Sequence, residues 1–139
     1  SYGLAGIRVG YAVSHPQVAD LMNRVRPPFN ANSVALAAAA AALDDEEHLQ
    51  RSVKMNAEGL KQLVAGFKSM GLDYIPSIGN FISVDVGRTA APLYEALLRE
   101  AVIVRPVANY GMPDHLRVTV GAPEENIRFL AALKKVLGA

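Results

Sequence analysis

Two stretches in the second half of the chain place an apolar residue at every second position, and this period limits the possible folds more than any other feature. The apolar residues concerned are Ile82, Val84, Val86, Leu116, Val118 and Val120. Because successive side chains of a strand point to opposite faces, each stretch predicts a strand with one buried face and one open face. Both strands therefore need a covering layer on one side only.

Helical spacing follows each of these two predicted strands. Apolar residues recur there with helical spacing, at Leu93, Leu97 and Leu98 and then at Ile127, Leu130, Leu133 and Leu137. This spacing predicts helices that begin near Thr89 and Pro123 and turn these residues toward a core. Apolar runs over residues 72–75 and 102–107 predict two more strands. The order strand, strand, helix, strand, strand, helix indicates an α+β domain with helices packed on one face of a sheet.

The first half of the chain has mainly helical patterns. Residues 17–25 and 34–43 predict two short helices, the second rich in alanine and preceded by Asn32 as an N-cap. A capping box formed by Asp44 and Glu47 predicts the start of a long helix that follows directly.

The chain begins with a glycine-rich segment, SYGLAGIRVGYAV, that contains a single cation, Arg8. Gly3, Gly6 and Gly10 permit tight turns and a close approach of the backbone to another group. The alternation after Arg8 predicts a strand over residues 9–13. An arginine fork suits a phosphate or a carboxylate, whereas the alternative is a loop in which Arg8 makes only a surface ion pair.

The string YGLAGIRVGY resembles the segment that follows the Schiff-base lysine in fold type I pyridoxal-phosphate aminotransferases, and most of all in the histidinol-phosphate aminotransferase family. The resemblance implies that Arg8 binds the phosphate of the cofactor, pyridoxal 5'-phosphate. It also implies a lysine immediately before Ser1, and none of the lysines (54, 61, 68, 134 and 135) precedes such a string. We therefore expect no catalytic residue in this chain, which would be a C-terminal piece that is inactive by itself.

Two further arginines stand out by their positions. Arg117 lies between Leu116 and Val118, so its side chain is expected on the face opposite the core, and Arg105 precedes Pro106, which would end strand pairing. From spacing alone, both arginines could simply be solvated. The segments VIVRP and YGMPDHLRVTVG, however, resemble the C-terminal signature of the same family. This resemblance implies that Arg117 binds the terminal anion of the substrate and that Arg105 assists with the substrate's phosphate.

The resemblance extends over nearly the whole chain and implies an architecture and an activity. Residues 1–45 would form the C-terminal edge of the large cofactor-binding domain, and residues 46–139 the small C-terminal domain with an antiparallel or mixed sheet. The implied reaction converts histidinol phosphate and 2-oxoglutarate to imidazole acetol phosphate and glutamate, in histidine biosynthesis, in a cytoplasmic homodimer. A related aromatic aminotransferase, a threonine-phosphate decarboxylase and a non-enzymatic α+β anion-binding module stay open as alternatives.

Composition argues against several other classes of protein. With 14 basic and 13 acidic residues the net charge is +1, so we expect no surface for nucleic acid or anionic membranes. The chain has no cysteine, and its three histidines lack the spacing of metal ligands, so no metal site is expected. No apolar run approaches the roughly 18 residues that indicate a membrane span.

Overall fold

The computed structural model describes residues 2–138 of the chain, which form two compact units. One unit ends at Val53 and the other begins at Lys54. The division falls inside a long helix, so the helix contributes its first turns to one unit and its remaining turns to the other. The assignment of the two parts of the chain to a large and a small domain stays a prediction.

The first unit is helical. It contains a one-turn 3-10 helix, Ala5–Ile7, the helices α1, Pro16–Val25, and α2, Ser33–Leu43, and the first turns of α3, Glu46–Ser69. The predicted N-cap at Asn32 is confirmed, because its Oδ1 accepts a hydrogen bond of 2.8 Å from the backbone N–H at the third position of the α2 helix.

The strand predicted over residues 9–13 is wrong, since this segment has no regular secondary structure. Val13 is 90% exposed, and no strand among residues 2–138 pairs with the segment. A strand is held by hydrogen bonds to a neighbouring strand, and alternation in the sequence does not supply that neighbour.

The capping box predicted at Asp44 is also wrong. Helix α3 begins at Glu46, so Asp45 is its N-cap, and the Oδ1 of Asp45 accepts a hydrogen bond of 2.9 Å from the N–H of His48. Asp44 instead forms the C-cap of α2. Neighbouring acidic residues are equally good N-caps by type, and the backbone path between the two helices decides which of them is used.

The second unit contains a four-stranded antiparallel sheet with the strand order β1-β2-β4-β3. The strands are β1, Tyr74–Ile75, β2, Phe81–Asp85, β3, Arg105–Pro106, and β4, His115–Thr119. Helix α4, Ala90–Arg99, connects β2 to β3, and helix α5, Pro123–Leu137, follows β4. The predicted α+β fold is confirmed, with a sheet that is antiparallel throughout.

The strand predicted over residues 102–107 is shorter than expected. Only Arg105 and Pro106 pair, with Arg117 and Leu116 of β4. Proline lacks the N–H that a central strand would need, but β3 lies at the edge of the sheet, where this donor is not required. Pro106 therefore takes part in the pairing and is the last paired residue of β3.

Helices α3, α4 and α5 cover one face of the sheet. The side chains that are almost completely buried there are Leu63, Phe67, Ile82, Val84, Leu97, Leu116 and Leu133. The rings of Phe67 and Phe129 meet edge to face with their centroids 6.2 Å apart. Ile127 was predicted to face inward, but it is 60% exposed, because the buried face of α5 passes through Asn126 and Phe129 instead.

Candidate anion-binding site

Arg8, the single cation of the glycine-rich segment, has an unusual backbone conformation. Its φ of 59° and ψ of 47° lie in the left-handed region, which residues with a Cβ seldom adopt. Its backbone N–H and its Nη1 both donate to the carbonyl oxygen of Ala5, at 3.2 and 2.8 Å. The side chain is exposed, and no carboxylate of residues 2–138 lies within ion-pair distance of it. The alternative of a surface ion pair is therefore not supported by the described residues.

The other two predicted residues, Arg105 and Arg117, are brought together by the sheet. They are direct cross-strand partners in β3 and β4, and Ser83 of β2 lies opposite Arg117 on its other side. Directly paired residues share one face of a sheet. Because Leu116 and Val118 are buried on the core face, both arginines belong to the opposite, open face. This is the direction that the sequence predicts for Arg117.

This pairing places two cations directly opposite each other, which has an energetic cost. Like charges directly opposite each other destabilise a strand pair. Neither Arg105 nor Arg117 makes an ion pair with any carboxylate in the part of the chain that the structure describes. A bound anion would replace this repulsion with two charge-assisted interactions, so the arrangement suits an anionic ligand.

Two aromatic residues contact the arginines, and the sequence interpretation assigned a site role to neither. The Cζ of Arg117 lies 4.8 Å from the centroid of the Phe81 ring, and an Nη2–H of Arg105 donates to the hydroxyl of Tyr110 at 3.3 Å. The strand register of β2 and β4 explains the contact of Phe81 with Arg117. Phe81 pairs with Thr119, two residues beyond Arg117, so its ring is a diagonal neighbour of the guanidinium.

One carboxylate shares the open face. Asp85 is the cross-strand partner of His115, in the row of the sheet next to Ser83 and Arg117. Its Oδ1 accepts a hydrogen bond of 2.8 Å from the N–H of Gly87, which keeps it occupied within its own turn. No ion pair joins the carboxylate of Asp85 to Arg105 or Arg117.

Arg105 is exposed and Arg117 is half-buried, and neither lies in a cavity that the second unit contains. That cavity, of about 390 Å³, lies between residues 101–104, the end of β4 and the start of α5, and neither Arg105 nor Arg117 lines it. Among residues 2–138 there is no group of three or more potential metal ligands. In the same residues, no helix is both long enough and apolar enough to cross a membrane.

Comparison with known proteins shows which class of protein has this fold and these segments. The family described as "Aminotransferase class I and II" matches residues 1–133 of the chain. The chain belongs to this family.

Several relatives narrow the comparison. The chain is 66% identical over 137 residues to histidinol-phosphate aminotransferase 2 of Pseudomonas fluorescens, a match that covers 99% of this chain and 37% of that protein. It is 62% identical over 136 residues to histidinol-phosphate aminotransferase 1 of Nitrosococcus oceani, which covers 98% of this chain and 37% of that protein. The chain therefore spans about 37% of the length of these curated relatives.

A solved structure has the same fold. The crystal structure of histidinol-phosphate aminotransferase from Sinorhizobium meliloti, in complex with pyridoxal-5'-phosphate, matches with a TM-score of 0.87 and 29% sequence identity. The match covers 99% of this chain and 38% of that one.

Proposed function

We propose that this chain is part of a pyridoxal-phosphate-dependent aminotransferase that acts on histidinol phosphate. The proposed reaction uses 2-oxoglutarate and yields imidazole acetol phosphate and glutamate, a step of histidine biosynthesis. The observation that carries the proposal is the cross-strand pair of Arg105 and Arg117 on an open sheet face without a neutralising carboxylate among the described residues. The high identity to relatives named for this reaction supports the same substrate.

The arginine pair fits the two substrates of such a reaction. One substrate ends in a phosphate ester, and the other, 2-oxoglutarate, ends in a carboxylate. The planar guanidinium fork donates two parallel hydrogen bonds to either group. In this proposal Arg117 holds the terminal anion of both substrates, and Arg105 adds a second positive charge for the phosphate.

The residues of the glycine-rich segment fit a cofactor phosphate. Arg8 is an exposed cation that has no acidic partner among residues 2–138, and its backbone is fixed in the left-handed conformation by the bonds to Ala5. Arg8 would therefore hold the phosphate of pyridoxal 5'-phosphate. When bound, this cofactor supplies an electron sink for amino-group transfer.

The lysine that carries the cofactor is, in this proposal, supplied from outside these residues. All five lysines of the chain, Lys54, Lys61, Lys68, Lys134 and Lys135, are exposed on helices α3 and α5. A lysine that reacts at neutral pH needs a desolvated or cationic pocket to lose its proton, and exposed helix positions offer none.

The test is the activity of the full-length protein with histidinol phosphate and 2-oxoglutarate. We expect glutamate to form in a cofactor-dependent manner, with much lower activity on histidinol, phenylalanine and threonine phosphate. Preference for phenylalanine would indicate an aromatic aminotransferase, and loss of carbon dioxide from threonine phosphate would indicate a decarboxylase. Binding of a small anion without any turnover would favour the anion-binding module.

Two variants distinguish an effect at the anion site from the effect of removing any exposed arginine. Arg117→Gln should raise the KM for both substrates, since it removes the anion's charge-assisted partner. Arg88→Gln, at an exposed arginine in the turn after β2, should leave both KM values unchanged. Equal effects of the two variants would contradict the assignment of Arg117.

The homodimer and the cytoplasmic location belong to the same proposal. Light scattering of the full-length protein should give the mass of two chains, and cell fractionation should recover the protein with the cytoplasm. A monomeric active protein would contradict the proposed dimer.

A further inference from the structure

The proposed function assigns no role to the contact between Arg117 and Phe81. Phe81, the first residue of β2, presents its ring to Arg117, with the guanidinium carbon 4.8 Å from the ring centroid. This distance is within the range of a favourable cation–π interaction. The ring is 39% exposed and lies on the open face, so the core of the second unit does not explain it.

The surroundings of Arg117 leave one edge of the guanidinium for a ligand. Its Nε is buried without a hydrogen-bond partner among the described residues, whereas neither Nη nitrogen is buried and unpaired in this way. The ring of Phe81 occupies the space over the guanidinium carbon. The two Nη groups are therefore the donors that an incoming anion can reach.

The ring of Phe81 also counteracts the electrostatic repulsion between Arg105 and Arg117. Arg105 stands directly opposite Arg117, so without an anion the two cations repel each other. A long, flexible arginine side chain would be displaced by this repulsion, and holding it in one geometry on binding would cost conformational entropy. The attraction between the Phe81 ring and the guanidinium reduces both effects.

We infer that Phe81 is a positioning residue for the anion site: its ring holds the guanidinium plane of Arg117 so that both Nη groups face the terminal phosphate or carboxylate of the substrate. The inference rests on the proposed function of Arg117 as the anion-binding residue. Phe81 acts through Arg117 and does not contact the reacting atoms.

The test compares three substitutions in the full-length enzyme with its cofactor. Phe81→Leu removes the ring but keeps an apolar side chain, and we expect it to raise the KM for histidinol phosphate and 2-oxoglutarate about five- to twentyfold. The kcat should change by less than about twofold, because binding energy lost equally before and during reaction affects KM alone. Phe81→Tyr keeps the ring and should restore both KM values. Ile75→Ala, at a 46% exposed position of the same hairpin, should leave them unchanged.

Equilibrium binding of glutarate, measured by calorimetry, gives a readout that is independent of turnover. Phe81→Leu should weaken glutarate binding by the same factor by which it raises the KM values. In the Arg117→Gln background, Phe81→Leu should not weaken glutarate binding any further. An equal loss in the Arg117→Gln background would overturn the inference, since Phe81 would then act independently of the guanidinium. An unchanged KM in Phe81→Leu, or an equal loss in Phe81→Tyr, would also overturn it.

The same variants distinguish a failure of the inference from a failure of the proposed function. If Arg117→Gln leaves glutarate binding and both KM values unchanged, the anion-binding role of Arg117 fails, and the role of Phe81 fails with it. If Arg117→Gln weakens binding but Phe81→Leu does not, the proposed function stands and only the positioning role is wrong.

Discussion

The two units of the chain differ in how much apolar surface each buries within itself. In the second unit, three helices and a sheet enclose a continuous core that includes Leu63, Phe67 and Leu133. In the first unit, Ala35 is the one buried apolar side chain among the described residues. Helix α1 nevertheless carries an apolar stripe. Each of its four residues is between 46% and 82% exposed: Val18, Leu21, Met22 and Val25.

The comparison shows what an amphipathic pattern does and does not specify. Burial of apolar surface is the main source of stability, so the second unit is stabilised by its own core. The stripe of α1 has the same helical period, but the unit that contains it does not cover it. An amphipathic pattern indicates that the apolar face of a helix packs against something. It does not specify which part of the protein, or which partner, covers that face.

The residues with a proposed role in binding are divided between the two units. The second unit carries Arg105 and Arg117 on the open face of a packed sheet. The first unit carries Arg8 on a short turn with few buried neighbours. Under the proposed function, the second unit supplies stability and substrate contacts, and the first supplies contacts to the cofactor.

The largest expected effect concerns the 139-residue chain by itself. Because all its lysines are exposed on helices, we expect no transamination of histidinol phosphate when pyridoxal 5'-phosphate is added. Absorption spectroscopy should show only weak, non-specific lysine adducts. A single stoichiometric adduct with measurable turnover would contradict the proposal that the essential lysine lies outside these residues.

The next effect is on stability. Phe67→Ala should lower the free energy of unfolding of the second unit by about 3–5 kcal/mol, because it leaves a cavity against Tyr74 and Phe129. The matched change in the first unit, Leu21→Ala at a 60% exposed position, should cost well under about 1 kcal/mol. Denaturant unfolding measures both, and equal costs would remove the difference between the units.

Arg8→Ala should affect cofactor binding and leave stability almost unchanged. In the full-length enzyme we expect affinity for pyridoxal 5'-phosphate to fall at least about thirtyfold, since the phosphate loses a charge-assisted partner. Arg24→Ala, in α1 of the same unit, removes an exposed pair with Asp20 and serves as the control. Unchanged cofactor retention in Arg8→Ala would return Arg8 to an ordinary surface role.

Two glycine substitutions, one in each unit, test how closely other atoms pack against the backbone. A Cβ at Gly59 would meet the side chains of Val120 and Asn126, so Gly59→Ala should destabilise the second unit by about 1–3 kcal/mol. At Gly6 nothing in the described residues lies within 4 Å of a new Cβ. Gly6→Ala should therefore change the stability of the chain by less than about 0.5 kcal/mol, measured by thermal unfolding.

Apart from the control substitutions, the smallest effect is expected at a helix cap in the first unit. Asn32→Ala removes the acceptor for the N–H of Ala35, and it should cost about 1 kcal/mol of helix stability. Circular dichroism should show a small loss of helix, whereas Asn32→Ser should retain it. A loss as large as that of Phe67→Ala would mean that the first unit depends on cooperative packing.

Much of the second unit follows from sequence, because its signals are local. The strands that contain Ile82 and Leu116 follow from the period of two, and the helix after each of them follows from the spacing of its apolar residues. The face of Arg117 follows from the alternation with Leu116 and Val118. The family signature indicated Arg8, Arg105 and Arg117 as candidates, but a signature carries no distance between them.

Local sequence patterns were therefore enough to predict the type of most elements and the face that each residue of a strand occupies. Three features depend on how the chain folds: Arg105 is the direct partner of Arg117, Pro106 belongs to an edge strand, and Phe81 stacks on the guanidinium. These are relations between segments distant in the chain, and register and edge position depend on which strands meet. A strand pattern without a partner, as in residues 9–13, stays irregular for the same physical reason.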